Sequence, residues 1–206
     1  STSIPMYSPF DVIDRVVAAV KGTPSEKLEP LVPWYAGFEG GILPGEAAAH
    51  LVGNSASKQN VFVSVGKVER GAGKSAIRVT ELPVGRWTDD FKALLDKLCQ
   101  GGGKGDTPLV ETYLEHNSEA TVDFAITLTR EGASQLGLTK LSLDFDAAAK
   151  ALRLTTKVSL GNMVAFGVDG FVRRYADPRE IVAEFVGERR KVYTQRKDHT
   201  EAALAR

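Results

Sequence analysis

The stretch "NVFVSVGKVERGAGKSAIRVTEL", residues 60–82, decides the fold class of this chain. Valine occupies every second position at its start, and "SAIRVTEL" at its end repeats this alternation. A period of two is typical of β-strands. Because the glycine-containing segment 71–73 separates the two runs, the stretch predicts two strands, over 60–69 and 75–82, joined by a tight turn as a β-hairpin.

Further strands and helices are predicted on both sides of this hairpin. Apolar residues at helical spacing before Gly22 predict a helix over 9–21. A second helix over 88–99 would begin with Thr88 as its N-cap. The remaining β regions are 120–129, 151–159 and a hairpin over 162–175, and a short helical turn lies near 130–137. Together these segments predict an α+β fold in which helices back an antiparallel sheet.

The last predicted element is a long polar helix. Asp177 is a good N-cap, Pro178 suits the first helical position, and Glu180 completes a capping box. A helix over 177–206 would be about 40 Å long, which exceeds the size of one small core. We therefore expect it to extend toward another part of an assembly, and we expect the chain to be a piece of a longer protein.

The composition excludes several classes of protein. Of the 206 residues, 43% are hydrophobic, which is enough for a packed core. Because 26 basic residues balance 26 acidic ones, no overall positive field attracts nucleic acid or an anionic membrane, and any polyanion site must be local. The single cysteine, Cys99, excludes an intrachain disulfide and a cysteine zinc site. No apolar run of the length that a membrane span needs occurs, so no membrane partner is expected.

Two motifs resemble ligand sites but fit ordinary turns better. "RGAGKS", residues 70–75, resembles the end of a phosphate-binding P-loop, but Val68 replaces the required earlier glycine and a strand follows instead of a helix. Asp144 and Asp146 form a D-x-D pair of the kind that can hold a divalent cation, yet a solvated turn is favoured because no third acidic ligand is nearby. The three histidines show no metal-ligand spacing. No catalytic or metal site is therefore predicted.

The hairpin carries a local excess of basic residues. Between Ser57 and Thr80 the only acidic residue is Glu69, and the basic residues are Lys58, Lys67, Arg70, Lys74 and Arg78. Two interpretations remain open at this point. The basic residues could form a solvated face, or they could form a strip of contacts to nucleic-acid phosphates.

Four segments carry a resemblance to a known family. They are "PWYAGFEGGI" at 33–42, "VTELPVGRWTDDFKALL" at 79–95, "NMVAFGVDG" at 162–170 and "RRKVYTQRK" at 189–197. In these motifs and in their order, nearly the whole chain resembles the type IIA DNA topoisomerases, and most closely the eukaryotic topoisomerase II branch. The resemblance implies that residues 1–176 form the antiparallel-sheet tower domain of the DNA breakage-reunion core. It implies that residues 177–206 form the first helix of a coiled-coil arm.

The resemblance also implies a function. In this family one protein gate cuts both strands of a gate DNA, passes a second duplex through the break and reseals it. This piece would bind and bend the gate DNA, while the catalytic tyrosine, the Toprim site for magnesium and the ATPase would lie outside it. No cofactor is therefore expected within the chain, and the chain alone is expected to be inactive. The alternative is a structural relay between the DNA gate and the exit gate, with little DNA binding of its own.

The implied partners are duplex DNA, the remainder of the topoisomerase chain and a second copy of the full-length protein in a homodimer. The implied location is the nucleus, with an organelle as the alternative.

By the same resemblance, Ile42 wedges between base pairs in the minor groove of the gate DNA. Gly40 and Gly41 would let a flexible loop tip approach the duplex, with Phe38 among the aromatic residues at the base of that loop. The predicted DNA-binding residues are therefore Ile42, Gly40, Gly41, Lys58, Lys67 and Lys74. The alternative for Ile42 is a place in the core of the tower.

Two further expectations concern neighbouring residues. Glu39 stands where relatives commonly carry a basic residue, which implies that one phosphate contact is lost or repelled. Trp87 is expected to bury its large ring at the start of the helix over 88–99, which would make it a structural residue.

Overall fold

The computed structural model describes residues 2–53, 60–101, 107–139 and 142–205. Its strands are β1 (Gly41–Pro44), β2 (Val61–Val65), β3 (Lys67–Arg70), β4 (Ala76–Glu81), β5 (Val110–Glu115), β6 (Phe124–Leu128), β7 (Thr155–Ser159), β8 (Met163–Phe166) and β9 (Val172–Tyr175). Its α-helices are α1 (Pro9–Val20), α2 (Ala49–Val52), α3 (Thr88–Gln100), α4 (Arg130–Gln135), α5 (Phe145–Ala151) and α6 (Pro178–Leu204), and a 3-10 turn spans Ser25–Lys27. The α+β fold class with antiparallel sheets is therefore confirmed.

The chain divides into two compact units. The central unit is Ala36–Val158, and the terminal unit combines Ser1–Tyr35 with Ser159–Arg206. The predicted division into a tower domain over 1–176 and a coiled-coil helix over 177–206 concerns roles in a larger assembly, and it stays a prediction.

The central unit contains two sheets. One has the strand order β3-β4-β6-β5, with antiparallel pairing throughout, and the other has the order β1-β2-β7. The predicted hairpin is present as β3 and β4, with the "RGAGKS" glycines in its turn, as expected for an ordinary hairpin and not for a P-loop.

A single apolar core supports these sheets. Alternate residues of β4 and β6 point inward, so that Ile77, Val79, Phe124 and Ile126 are almost fully buried. Helix α3 covers this layer with one apolar face, and the Phe91 ring meets the Phe124 ring edge-on with centroids 5.1 Å apart.

The predicted strand over 60–69 is wrong in one respect, because the structure breaks it at Gly66. Residues before the break pair with β1 as β2, and residues after it pair with β4 as β3. A side chain at Gly66 would lie 2.5 Å from the Glu81 carbonyl oxygen, while the Gly66 N–H donates to the Leu154 carbonyl at 2.9 Å. The close approach of two backbones therefore requires glycine here and sends the chain from one sheet to the other.

The structure differs from two local predictions, one at the start of α3 and one at the D-x-D pair. Trp87, not Thr88, is the N-cap of α3, and no side chain caps this end. The D-x-D pair forms a helix start and not merely a solvated turn, because the Asp144 carboxylate accepts the Ala147 N–H at 3.1 Å and α5 follows. Asp146 lies in the first turn of the same helix, where a negative charge is favourable.

Strand β5 was not predicted. It is one of the two edge strands of the four-stranded sheet, and of its six residues only Val110 is buried. An edge strand that presents mostly polar residues lacks the apolar alternation that identifies the other strands.

The terminal unit is built on the pairing of α1 with α6. Val12 and Val16 of α1 pack against Leu31, Val182 and Val186. The β8–β9 hairpin, which the Asp-Gly turn predicted, completes this unit.

Helix α6 begins at the predicted N-cap, Asp177, and is 27 residues long, but the capping box is wrong because the Glu180 carboxylate accepts the Ala176 N–H at 3.2 Å. The Asp177 carboxylate accepts the Arg179 N–H at 2.8 Å, and the Arg179 guanidinium donates to the Leu28 carbonyl oxygen at 2.7 Å. Its buried residues are Pro178, Val182 and Val186, all in its first third, and residues 189–205 are exposed within the chain.

Candidate nucleic-acid interface

Ile42 lies in strand β1, so the expectation of a flexible loop tip is wrong. It is opposite Ser64 of β2 in the antiparallel register, and its side chain is half-buried. Its neighbour Leu43 packs on the apolar core, whereas Ile42 does not contribute to that core. Because successive residues of a strand point to opposite faces, Ile42 lies on the face of β1 away from the core. Its role as a wedge stays a prediction.

Gly40 and Gly41 have different surroundings. A Cβ atom at Gly40 would collide with the Val65 carbonyl oxygen and with the Phe38 ring. A Cβ atom at Gly41 would meet nothing within 4 Å. Gly40 is therefore required by packing inside this chain, and only Gly41 leaves open space next to the backbone that precedes Ile42.

Lys67, one of the predicted phosphate contacts, lies among carboxylates. Its Nζ is 3.7 Å from Oε2 of Glu39 and 3.3 Å from Oε1 of Glu69, and the side chain is 44% exposed. The Glu39 N–H also donates to the Glu81 carboxylate at 3.1 Å. Glu39, which was expected to disfavour phosphate, is thus a direct partner of the lysine expected to bind phosphate.

The other basic residues of the predicted strip are spread along the β3–β4 hairpin. Lys74 is exposed in the turn, and Arg70 is at the end of β3. Arg78 forms a two-point ion pair with Asp123, with both nitrogen–oxygen distances 2.7 Å. The hydrogen bond from Arg78 lowers the pKa of the Asp123 carboxyl below its ordinary value. Lys58 lies outside the described residues.

A groove of about 760 Å³ opens beside this hairpin in the central unit. Its lining comes from the segments 36–39, 80–88 and 118–123, together with Arg78 and His116. We call it the Trp87 groove, because the Trp87 side chain at its wall is 77% exposed. The expectation that Trp87 buries its ring is therefore wrong. Phe91, one helical turn later, occupies the core in its place.

Neither a metal site nor a membrane span is found in the part of the chain that the structure describes. No group of three or more His, Cys, Asp or Glu residues there is arranged to hold a metal ion. No helix there combines the length and the apolar composition needed to cross a membrane.

Sequence reasoning missed three features of this region. They are the Lys67–Glu39 pair, the Arg78–Asp123 pair and the exposure of Trp87. The pairs join residues far apart in the sequence, and no local pattern indicates them. The exposure of Trp87 could not have been inferred from helical periodicity, because its spacing of four residues from Phe91 and eight from Leu95 would place it on their buried face, whereas the structure makes it the N-cap of α3.

Comparison with known proteins gives one consistent family. The sequence model of the DNA gyrase/topoisomerase IV A-subunit family matches residues 1–206. DNA topoisomerase 2 of Arabidopsis thaliana is 31% identical over 200 residues, which is 96% of this chain and 12% of that protein. The mitochondrial DNA topoisomerase 2 of Dictyostelium discoideum is 28% identical over 204 residues, covering 99% of this chain and 14% of that protein.

A solved structure extends this likeness to the fold. The crystal structure of the DNA-binding, cleavage and re-ligation domain of Plasmodium falciparum topoisomerase II superimposes with a TM-score of 0.75 at 25% identity. The match covers 98% of this chain and 24% of that one. This chain therefore spans only a small part of the proteins that it resembles.

Proposed function

Because this chain belongs to the DNA gyrase/topoisomerase IV A-subunit family, we propose that it binds and bends the gate DNA in an ATP-dependent type II topoisomerase. It corresponds to part of the DNA-binding and cleavage region of these enzymes. Its proposed partners are duplex DNA, the remainder of the topoisomerase chain and a second copy of the whole protein in a homodimer. The nucleus or an organelle is the proposed location, since one relative is named as mitochondrial.

The observation that supports this proposal most directly is the position of Ile42. Ile42 is a half-buried isoleucine outside the core cluster, and pairing of β1 with β2 fixes its backbone. A wedge that separates stacked bases is an apolar side chain, and a fixed backbone suits that role. The open space at Gly41 allows a duplex backbone to come close to the start of β1.

The energies indicate that Ile42 cannot bend DNA alone. Burial of one isoleucine contributes roughly 1.5 to 3 kcal/mol. Unstacking a base step costs a few kcal/mol, and bending a site of 20 to 30 base pairs costs on the order of 1 to 6 kcal/mol more. Phosphate contacts must supply the difference. Because Lys67 is already paired with two carboxylates, we assign a larger part of these contacts to Lys74 and to the rest of the enzyme.

The test replaces Ile42 with alanine in the full-length enzyme. We expect DNA bending, measured by energy transfer between the duplex ends, to fall sharply, while affinity changes much less because phosphate contacts dominate it. Leu43→Ala is the matched control: it removes a neighbouring apolar group from the core side of β1, and we expect it to lower the melting temperature. Normal bending by Ile42→Ala would refute the wedge. A melting temperature that falls as much as in Leu43→Ala would place Ile42 in the core.

The chemistry of strand cleavage is assigned to other parts of the enzyme. The described residues do not fit a magnesium site, because no group of three or more candidate ligands comes together among them. We therefore derive no catalytic step within this chain. Magnesium and ATP are proposed for the parent enzyme only, and supercoil relaxation by this chain alone would overturn that assignment.

A second candidate function, a structural relay toward the exit gate, is supported by α6. This helix has 27 residues, corresponding to about 40 Å, and only its first third is buried. The terminal unit also exposes large apolar side chains, including Phe10 at 79% and Phe171 at 74%, which favours contacts with further parts of the assembly. If the isolated chain shows no salt-dependent affinity for duplex DNA, the relay would be the better description.

A further inference from the structure

The Trp87 groove has a charge opposite to that of a DNA-binding surface. The carboxylates that line it are Glu39, Glu81, Glu119 and Asp123, and the guanidinium groups that line it are Arg78 and Arg86. With His116 neutral, four negative and two positive groups give a formal net charge of −2. Arg78 and Asp123 offset each other in their two-point pair, and Lys67 partly offsets Glu39, so Glu81 and Glu119 supply the excess negative charge of the groove. The groove therefore repels a polyanion and attracts cations.

The groove also presents an aromatic surface. The Trp87 ring is 77% exposed although it is the largest side chain of the groove wall. Indole is the best aromatic partner for an ammonium or guanidinium group, which prefers to lie over the ring face. A carboxylate-lined groove with an exposed indole therefore suits lysine and arginine side chains.

We propose that the Trp87 groove binds an extended polypeptide segment rich in lysine and arginine. The cationic side chains would lie against Trp87 and Glu119. This proposal does not depend on DNA binding by Ile42, because the groove and Ile42 are tested with different ligands and different variants.

The experiment uses the intrinsic fluorescence of Trp87 in the 206-residue chain. The chain has two tryptophans, so a Trp34→Phe background leaves Trp87 as the single reporter. The probes are the ten-residue peptides (Lys-Ser)5 and (Glu-Ser)5 and a 20-base-pair DNA duplex. Glu119→Gln removes a groove carboxylate, and Glu46→Gln is the matched control, because it removes an exposed carboxylate of the same unit outside the groove.

We expect (Lys-Ser)5 to change the Trp87 emission in a saturable way, whereas (Glu-Ser)5 does not. Glu119→Gln should weaken this binding about two- to fivefold, as expected for one exposed charge pair, and Glu46→Gln should leave it unchanged. With fluorescein-labelled (Lys-Ser)5 and anisotropy as the readout, Trp87→Leu should weaken binding as well.

Three results would overturn the proposal. Absence of a saturable response to (Lys-Ser)5 would show that the groove has no such ligand. Equal weakening by Glu119→Gln and Glu46→Gln would show nonspecific electrostatic attraction instead of binding in the groove. A saturable response of Trp87 to the DNA duplex, lost in Trp87→Leu, would assign the groove to nucleic acid. Failure of the wedge experiment on Ile42 would leave all three of these outcomes unaffected.

Discussion

Replacing Gly40 with alanine should destabilise the central unit, although the change adds a single methyl group. The new Cβ would collide with the Val65 carbonyl oxygen and with the Phe38 ring. The ring can rotate away, but the carbonyl belongs to β2, which is paired with β1 on one side and with β7 on the other. Relief of the collision therefore requires β1 to move away from β2.

The magnitude follows from the packing. Inserting a methyl group into a well-packed region costs about 1 to 3 kcal/mol. For a chain of this size, 1 kcal/mol corresponds to about 2 to 4 °C in melting temperature, so the expected decrease is about 2 to 12 °C. In Gly41→Ala the new Cβ atom meets no other atom within 4 Å. Because alanine reduces the flexibility of the unfolded chain, the stability of this variant should equal that of the wild type or exceed it by up to about 1 kcal/mol.

The assay is thermal unfolding of Gly40→Ala and Gly41→Ala, followed by circular dichroism. A third variant, Phe38→Ala in the Gly40→Ala background, removes the ring and leaves the carbonyl, so we expect no recovery. Equal melting temperatures for the two single variants would refute the reasoning. Full recovery in the double variant would show that the ring, and not the strand, is the obstacle. Gly41→Ala should still reduce DNA bending if a duplex occupies the open space beside it.

Three other predictions concern single side chains. Trp87→Ala should change the free energy of unfolding by less than about 0.5 kcal/mol because the ring is exposed, whereas Phe91→Ala should lower it by about 3 to 5 kcal/mol. Denaturant unfolding measures both values, and similar losses would contradict the placement of Phe91 in the core and Trp87 at the surface. Lys74→Ala should reduce the magnitude of the slope of log DNA affinity against log salt concentration by about one. Lys67→Ala should reduce it by less, because Lys67 already has two carboxylate partners. A larger reduction for Lys67→Ala than for Lys74→Ala would contradict this prediction. The pKa of Asp123 is lower in the folded protein than in the unfolded chain, so its ionised carboxylate stabilises the fold above the unfolded pKa, and this effect is lost as the pH falls through the folded pKa. The stability difference between wild type and Asp123→Asn should therefore shrink below about pH 4. A difference that does not change with pH would contradict this prediction.

The local elements of this fold could be predicted from the sequence because each has its own periodic pattern. The β3–β4 hairpin, the helix over 9–21 and the start of the long helix at Asp177 all depend on neighbouring residues. Strand β5 could not be predicted in the same way, since an edge strand buries few side chains. The break at Gly66 could not be predicted either, because its cause is a distant carbonyl group.

The candidate site was less accessible to sequence reasoning than the fold. Family resemblance pointed to Ile42, but its placement in a strand follows from pairing with β2, which no local pattern specifies. Counting charges along the sequence placed Lys67 among the available basic residues, whereas in the structure it forms an ion pair with Glu39, which is distant in the sequence. Residue type favoured burial of Trp87, yet Phe91 and Leu95 already fill the space under α3. For Ile42 and Lys67, a contact with residues distant in the sequence decided the outcome.

The order in which the chain is made has a consequence for the terminal unit. Its two parts, Ser1–Tyr35 and Ser159–Arg206, flank the whole central unit, and the hydrogen bond from Arg179 to Leu28 joins residues 151 positions apart. On a ribosome, α1 emerges early and has no α6 to pack against until most of the chain has been synthesised, whereas all of the central unit is complete before α6 begins. Prior folding of the central unit would shorten the flexible loop that this contact must close, and each halving of loop length favours closure by about 0.6 kcal/mol. Folding of the central unit would thus favour folding of the terminal unit, whose N-terminal part cannot pack until its C-terminal part has been made. A ribosome that pauses before residue 178 would leave the apolar face of α1 without α6.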